Sequence, residues 1–263
     1  MTSSNLLDTG LQTPPCYNKS KSAITAKIDV QQTGSRMVAT ENQSSASTDA
    51  AELAKFERMA QDWWNLDGDF KPLHKLNPTR VEYVRDAIKQ HFMVETDEQP
   101  LKGYSILDVG CGGGLLCEPL RRLGAEVWGI DAVAKNIEIA KIHAGQMDLD
   151  IDYRAISVEA LGNELAKVGK KFDAVTALEI IEHVADPEAF VESCTKLMKP
   201  EGLIFFSTLN RTFKSYAMGI VAAEYILGWL PKGTHDWEKF VKPHELERWI
   251  SRAGRSLGLN GLE

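Results

Sequence analysis

Between Ser105 and Asp131 the chain runs a short apolar strand, a glycine-rich turn, a helix-forming stretch and a second strand ending in an aspartate. The turn, Asp108-Val109-Gly110-Cys111-Gly112-Gly113-Gly114, leaves the strand Ser105–Val109 and opens a helical stretch Leu115–Leu123. Glycines there allow a tight backbone turn and let a ligand approach without a Cβ in the way. Asp131 lies 21 residues beyond Gly110, just past the strand Glu126–Ile130. A carboxylate at that place can accept hydrogen bonds from both hydroxyls of a ribose. A tight turn alone does not call for three alternating glycines, so the whole register points to a bound nucleoside.

The same alternation continues along the chain. Helices are predicted over Val133–Ala144, Ser157–Val168 and Pro187–Met198, and strands over Ile151–Ala155, Phe172–Leu178 and Leu203–Thr208. Strands and helices alternating at this spacing build βαβ units on a parallel sheet. The fold class is therefore α/β and Rossmann-like over residues 104–263, with N-terminal helices over 51–103. Those helices are predicted at Ala51–Trp64 and Thr79–Phe92. Between them Gly68, Pro72 and Pro78 suggest a loop, Asn65–Asn77, and Glu95–Gly103 reads as a polar linker. Residues 1–50 hold fifteen Ser and Thr, one aromatic, and four basic against four acidic side chains. Such a segment cannot bury enough apolar surface to offset its ordering entropy, so it reads as a disordered leader or tail.

Which nucleoside cofactor fits follows from the loop. A dinucleotide fingerprint, G-x-G-x-x-G, needs its third glycine at position 115, where this chain has Leu115. Asp108 sets a negative charge beside the loop, which disfavours a pyrophosphate and suits a cation. S-adenosylmethionine carries a sulfonium and an ammonium and no phosphate. A methyltransferase is thus favoured over a nicotinamide-dependent dehydrogenase, which stays open as an alternative. A net charge of -7 argues against a nucleic-acid partner, which would call for a basic footprint. No run of eighteen apolar residues is present to span a bilayer as a helix. Cys16, Cys111, Cys117 and Cys194 lack the paired spacing of a zinc site or a disulfide framework.

More specific words surround the loop. They are Trp63-Trp64 with Phe70-Lys71-Pro72-Leu73-His74, Asn77-Pro78-Thr79-Arg80, and Glu179-Ile180-Ile181-Glu182-His183-Val184. Further on come Ser207-Thr208-Leu209-Asn210-Arg211, Ala223-Glu224-Tyr225-Ile226-Leu227 and Pro231-Lys232-Gly233-Thr234-His235. With the glycine loop they resemble the ubiquinone-biosynthesis O-methyltransferases, a family of class I S-adenosylmethionine-dependent methyltransferases, over about residues 52–250. The resemblance implies that Arg80 binds the methionine carboxylate, as the planar guanidinium fork suits. It implies a cofactor bed of Asp108, Gly110 and Gly112, with Asp131 on the ribose and Leu178 near the adenosine end. It implies Mg²⁺ on Glu179, Glu182 and His183, with His183 and Glu182 as catalytic groups. If that segment begins as a helix, the spacing puts all three on one face, where they can hold a metal or supply a base. The plain alternative is a helix start whose acids favour the positive dipole end.

The resemblance also implies a substrate, a polyprenyl dihydroxybenzoate or demethylubiquinol, methylated on a phenolic oxygen. It implies the matrix face of the mitochondrial inner membrane and contact with other ubiquinone-biosynthesis proteins. Tyr216–Leu230 is too short to span a bilayer, holds one charge, Glu224, and ends in Trp229. It fits either a buried helix or a surface dipping into lipid headgroups, and the resemblance favours the second. Class I members normally complete a seven-stranded sheet with an antiparallel pair after the helix expected at Pro243–Ala253. Here only Gly254–Glu263 follows, short for two strands, and the family's Tyr-Asn-Pro segment is absent. The expectation is five parallel strands, an exposed edge at Leu203–Thr208 and a C-terminally short form. A cofactor-binding or assembly subunit without activity of its own is then a further alternative.

Overall fold

The computed structural model describes residues 21–29, 62–209, 239–256 and 260–262. The expected helix at 51–64 lies outside them except for its last three residues, and the Tyr216–Leu230 segment lies wholly outside. The strands are β1 (Lys21–Asp29), β2 (Ser105–Val109), β3 (Glu126–Asp131), β4 (Asp152–Ala155), β5 (Phe172–Leu178), β6 (Met198–Leu209) and β7 (Asn260–Leu262). The helices are α1 (Lys71–His91), α2 (Cys117–Arg122), α3 (Ala134–Gln146), α4 (Val158–Ala166), α5 (Pro187–Lys196) and α6 (Pro243–Ser256). The strands form one sheet in the order β4-β3-β2-β5-β6-β1-β7. The run from β4 to β6 is parallel, as the alternating pattern requires.

The strand pleat sorts two cores. Leu107, Val109, Val175, Ala177, Ile204 and Phe206 face one side of the sheet, packed with Val158, Leu161, Phe190, Val191, Leu246 and Ile250 of α4, α5 and α6. Ile106, Val127, Ala174, Leu203 and Phe205 face the other, packed with Val84, Ile88, Leu120, Ile137 and Ala140 of α1, α2 and α3. Successive strand residues point to opposite faces, and strands covered on both faces read as continuous apolar runs. Local signals set the helix starts. The Ser157 hydroxyl accepts from the Ala160 N–H at 3.3 Å, and the Asp186 carboxylate accepts from the Ala189 N–H at 3.0 Å, with Pro187 in the first turn.

Three expectations are corrected. The stretch 71–77 is not a loop: α1 begins at Lys71 and carries Pro78 inside it. Pro72 falls in the first turn, where its missing N–H costs nothing. Side-chain bonds hold the turns around Pro78, from Asn77 Nδ2 to the Leu115 carbonyl at 2.6 Å and between His74 Nε2 and the Trp63 carbonyl at 2.8 Å. Next, Lys21–Asp29, within the segment expected to be disordered, forms β1. Finally, the edge at Leu203–Thr208 is not bare. β1 pairs antiparallel along it, from Lys21 opposite Leu209 to Lys27 opposite Leu203, and β7 pairs antiparallel with β1. An unpaired strand edge seeks a partner. Here the antiparallel pair beside β6 is built from one strand near each end of the chain.

Candidate functional site

The glycine loop leaves β2 at the carboxyl ends of the parallel strands, which is the ligand side of an open α/β sheet. Gly110 and Gly112 have left-handed backbones, with φ of 73° and 54°. A Cβ on Gly110 would lie 2.8 Å from the Ile180 side chain, and one on Gly112 would lie 2.2 Å from the Trp63 ring. Both contacts therefore require glycine. Asp131 ties the loop to β3: its two carboxylate oxygens accept from the Gly112 N–H at 2.9 Å and the Val133 N–H at 2.8 Å. Burial raises the Asp131 pKa, opposed by those two N–H groups and by Asn136. With three donors engaged, one lone-pair site of the carboxylate remains for a ribose hydroxyl.

The aromatic word closes over the same loop. Trp63 stacks on Phe70 at 3.7 Å between ring centroids, and its Nε1 donates to Asn136 Oδ1 at 2.8 Å. Trp64 Nε1 donates to the Gly113 carbonyl at 3.0 Å, and its ring stacks on His143 at 3.4 Å. His143 Nδ1 is hydrogen-bonded to Glu118 at 2.5 Å. Asn136 thus links the aromatic cover to Asp131. Sequence reading missed Asn136, and nothing local marks it; only its burial beside the loop reveals its role.

Asp108 sits beneath the loop rather than open to a ligand. It is 4% exposed and accepts from Thr176 Oγ1 at 2.7 Å and Cys117 Sγ at 3.3 Å. Burial pushes its pKa up to about 6, against the pull of those two donors and of Arg80. Thr176 is a second residue that sequence reading missed; its signal was a polar side chain inside an apolar strand.

At the end of β5 the arrangement differs from the one expected. Leu178 is half-buried and packs on the core. Glu179 takes a left-handed backbone, φ 53°, and its N–H donates to the Ser207 carbonyl at 2.9 Å and to Ser207 Oγ at 3.2 Å. That φ breaks any α-helical start, and only a 3₁₀ turn, Ile181–His183, follows. Glu179, Glu182 and His183 therefore do not share one helical face. The Glu179 carboxylate meets the guanidinium of Arg80 from α1, both side chains being largely buried. Burial lowers the Arg80 pKa to about 10, while the charges of Asp108 and Glu182 support it. Glu182 is 3% exposed and its Oε2 is buried without a hydrogen-bond partner. His183 is half-buried. Among the described residues, no group of three or more His, Cys, Asp and Glu side chains is placed to hold a metal ion. As placed, the three residues expected to bind Mg²⁺ do not fit it, because Glu179 is turned onto Arg80.

Comparisons with known proteins give the family and the fold. A family profile described as a methyltransferase domain matches residues 77–257. A ubiquinone biosynthesis O-methyltransferase of Cereibacter sphaeroides is 53% identical over 213 residues, covering 81% of this chain and 85% of its own length. The protein of that name in Bartonella tribocorum is 50% identical over 212 residues, covering 80% and 84%. Among solved structures, magnesium protoporphyrin IX methyltransferase from Synechocystis, crystallised with bound SAH, aligns with a TM-score of 0.52 at 19% identity, over 76% of this chain and 84% of that one. That likeness carries the fold alone, a class I Rossmann-like methyltransferase. The dehydrogenase alternative, which shares the parallel sheet but not these motifs, is set aside. With half its residues identical over four fifths of its length, the chain belongs to the ubiquinone biosynthesis O-methyltransferase family.

Proposed function

We propose that this chain transfers the methyl group of S-adenosylmethionine to a phenolic oxygen of a prenylated dihydroxy ring, a polyprenyl dihydroxybenzoate or demethylubiquinol, in ubiquinone biosynthesis. The observation that carries this reading is the contact of Ile180 with Gly110. It sets the turn after β5 directly against the glycine loop, so the groups suited to a methyl donor and those suited to a phenol are neighbours.

In this reading Gly110 and Gly112 form the cofactor bed, Asp131 takes the ribose hydroxyls, Leu178 borders the adenosine and Arg80 takes the methionine carboxylate. Asp108 acts from beneath, by holding the loop. S-adenosylmethionine supplies an activated methyl; the C–S bond breaks as the C–O bond forms, and the sulfur leaves as a neutral thioether. What remains for the protein is alignment and removal of the phenolic proton. A phenol with a pKa of about 10 is mostly protonated at neutral pH, so a positioned base speeds the step. Glu182, buried with an unpartnered oxygen, and His183 beside it are the proposed catalytic groups. Magnesium, which the family resemblance implies, has the right donor types in Glu179, Glu182 and His183. As arranged they do not fit it, because Glu179 is turned onto Arg80.

The family resemblance supports the matrix face of the mitochondrial inner membrane and other ubiquinone-biosynthesis proteins as partners. No helix among the described residues is long and apolar enough to cross a membrane. The sequence of Tyr216–Leu230, with its single charge, supports peripheral contact instead. The test is methyl transfer from labelled S-adenosylmethionine to a short-tailed dihydroxybenzoate, with the product expected to carry the label on a ring oxygen. Tight cofactor binding without transfer would reject the reading in favour of a non-catalytic subunit. Flotation with anionic liposomes at low salt tests the membrane part, and a chain that stays at the bottom of the gradient rejects it.

A further inference from the structure

Arg80 and Glu179 come from α1 and the end of β5, 99 residues apart in sequence. Their side chains are only 12% and 19% exposed where they meet. Three features make this pair unlike a structural ion pair. First, Arg80 Nε and Nη2 are both buried without a hydrogen-bond partner although Glu179 lies against the guanidinium, so the edge that best matches a carboxylate is left unsatisfied. Second, Glu179 reaches Arg80 from a left-handed backbone, which a non-glycine residue adopts only when its surroundings hold it there. Its N–H bonds to Ser207 supply that hold. Third, the charges of Asp108 and Glu182 also support the cation of Arg80, so one cation serves three acids. Such a site is short of positive charge, and a carboxylate taking the Nε edge would compete with Glu179 for it.

We infer that Glu179 holds the place of the cofactor's carboxylate on Arg80 and gives it up when the methyl donor binds, which frees Glu179 to turn towards the phenol site beside Glu182. This rests on the assignment of Arg80 to the methionine carboxylate made above. The pair then acts as an interlock. The acceptor side gains its second carboxylate only when the donor is in place, so the donor binds first. Reciprocity requires that whatever holds Glu179 on the acceptor side also tightens donor binding.

Calorimetry with S-adenosylhomocysteine tests the exchange without any turnover. Glu179→Gln weakens the competitor for Arg80 and is expected to tighten binding by about fivefold to tenfold, the lower part of the usual range for coupled sites. Glu179→Gly suits the left-handed backbone and removes the carboxylate without added strain, so it serves as the second variant if Gln disturbs folding. In an Arg80→Ala background the same Glu179 changes are expected to leave affinity unaltered. Equal or weaker binding by both Glu179 variants, or the same gain without Arg80, overturns the exchange. Failure of the unmutated protein to bind S-adenosylhomocysteine would instead overturn the functional reading beneath it.

Discussion

The loops after β2 and β3 and the turn after β5 lie side by side, yet they are finished to different degrees. In the first region every named acid has its donors. Asp131 accepts two backbone N–H groups, Asp108 accepts Thr176 and Cys117, and the aromatic cover is tied down through Asn136 and Gly113. Both regions keep a buried polar atom without a partner, Tyr153 Oη beneath the loop in the first, but only in the second are charged groups, Arg80 and Glu182, left with unpaired atoms and an acid, Glu179, held in a strained backbone. Buried polar groups without partners are costly, and they persist where a ligand supplies the partner. The contrast divides the proposed site into a preformed nucleoside bed and a side, Arg80 included, that would complete itself when a ligand binds.

The preformed side breaks most severely at Gly112. Alanine there needs a left-handed backbone and drives its Cβ into the Trp63 ring. Strain and overpacking together would cost about 3 kcal/mol, so the free loop is expected to relax out of shape, and restoring it on binding should lower affinity for S-adenosylhomocysteine by about 100-fold. Gly103→Ala is the control: it has a φ of 89° but nothing within 4 Å of its Cβ. It should lower thermal stability and leave affinity alone; equal losses from both variants would mean that the bed is not preformed by the aromatic cover.

The reaction side is probed next by Glu182→Gln and His183→Ala. Removing a general base typically costs about 100-fold or more in turnover. That loss is expected in at least one variant, with affinity for S-adenosylhomocysteine within about twofold of the original, since neither side chain belongs to the proposed bed. Full turnover in both would remove them from the chemistry. Weak cofactor binding in both would erase the division between the two regions.

The two regions also differed in how much the sequence disclosed. The bed is local: a strand, a loop and a strand in register, each marked by glycine or by an apolar run, and β2 and β5 have the bounds that their apolar runs predict. The reaction side is made by contacts that no local pattern records. Arg80 was expected in a separate N-terminal helix, and its meeting with Glu179 is a matter of tertiary packing. Helix spacing over Glu179–His183 misled because propensity yields to a backbone held by Ser207. The prolines misled in the same way, since Pro72 stops a helix only from its interior, and α1 tolerates Pro78 where side chains brace the neighbouring turns. At β1 the signal was present but outweighed. Ala23-Ile24-Thr25-Ala26-Lys27-Ile28 carries β-branched residues in near alternation, inside a segment dominated by Ser and Thr. What decided its structure was the unpaired edge of β6, a demand set by the rest of the sheet.

Asp108 gives the smallest effect and the finest test of the division, because it is satisfied by hydrogen bonds and still electrostatically costly. Its pKa is raised from 3.8 to about 6 in the fold, chiefly by burial. Between those values the folded chain holds a proton on Asp108 that the unfolded chain has lost, so the contribution of this group to stability is greatest below about pH 4 and is lost as pH rises through about 6. The full penalty of the ionised form is on the order of 3 kcal/mol. Asp108→Asn removes the charge but also weakens the bonds from Thr176 and Cys117, leaving a net gain of about 1 kcal/mol near pH 7.5 and a rise of a few degrees in Tm. Thermal melts from pH 4 to 8 should show a flatter profile for the variant. The same substitution loosens the prop under the loop, so affinity for S-adenosylhomocysteine should fall even as Tm rises. A variant that keeps the original pH slope would show that another group carries it. Gains in both stability and affinity would mean that Asp108 is a burden on the bed rather than its support, and the contrast between the two regions would have to be drawn elsewhere.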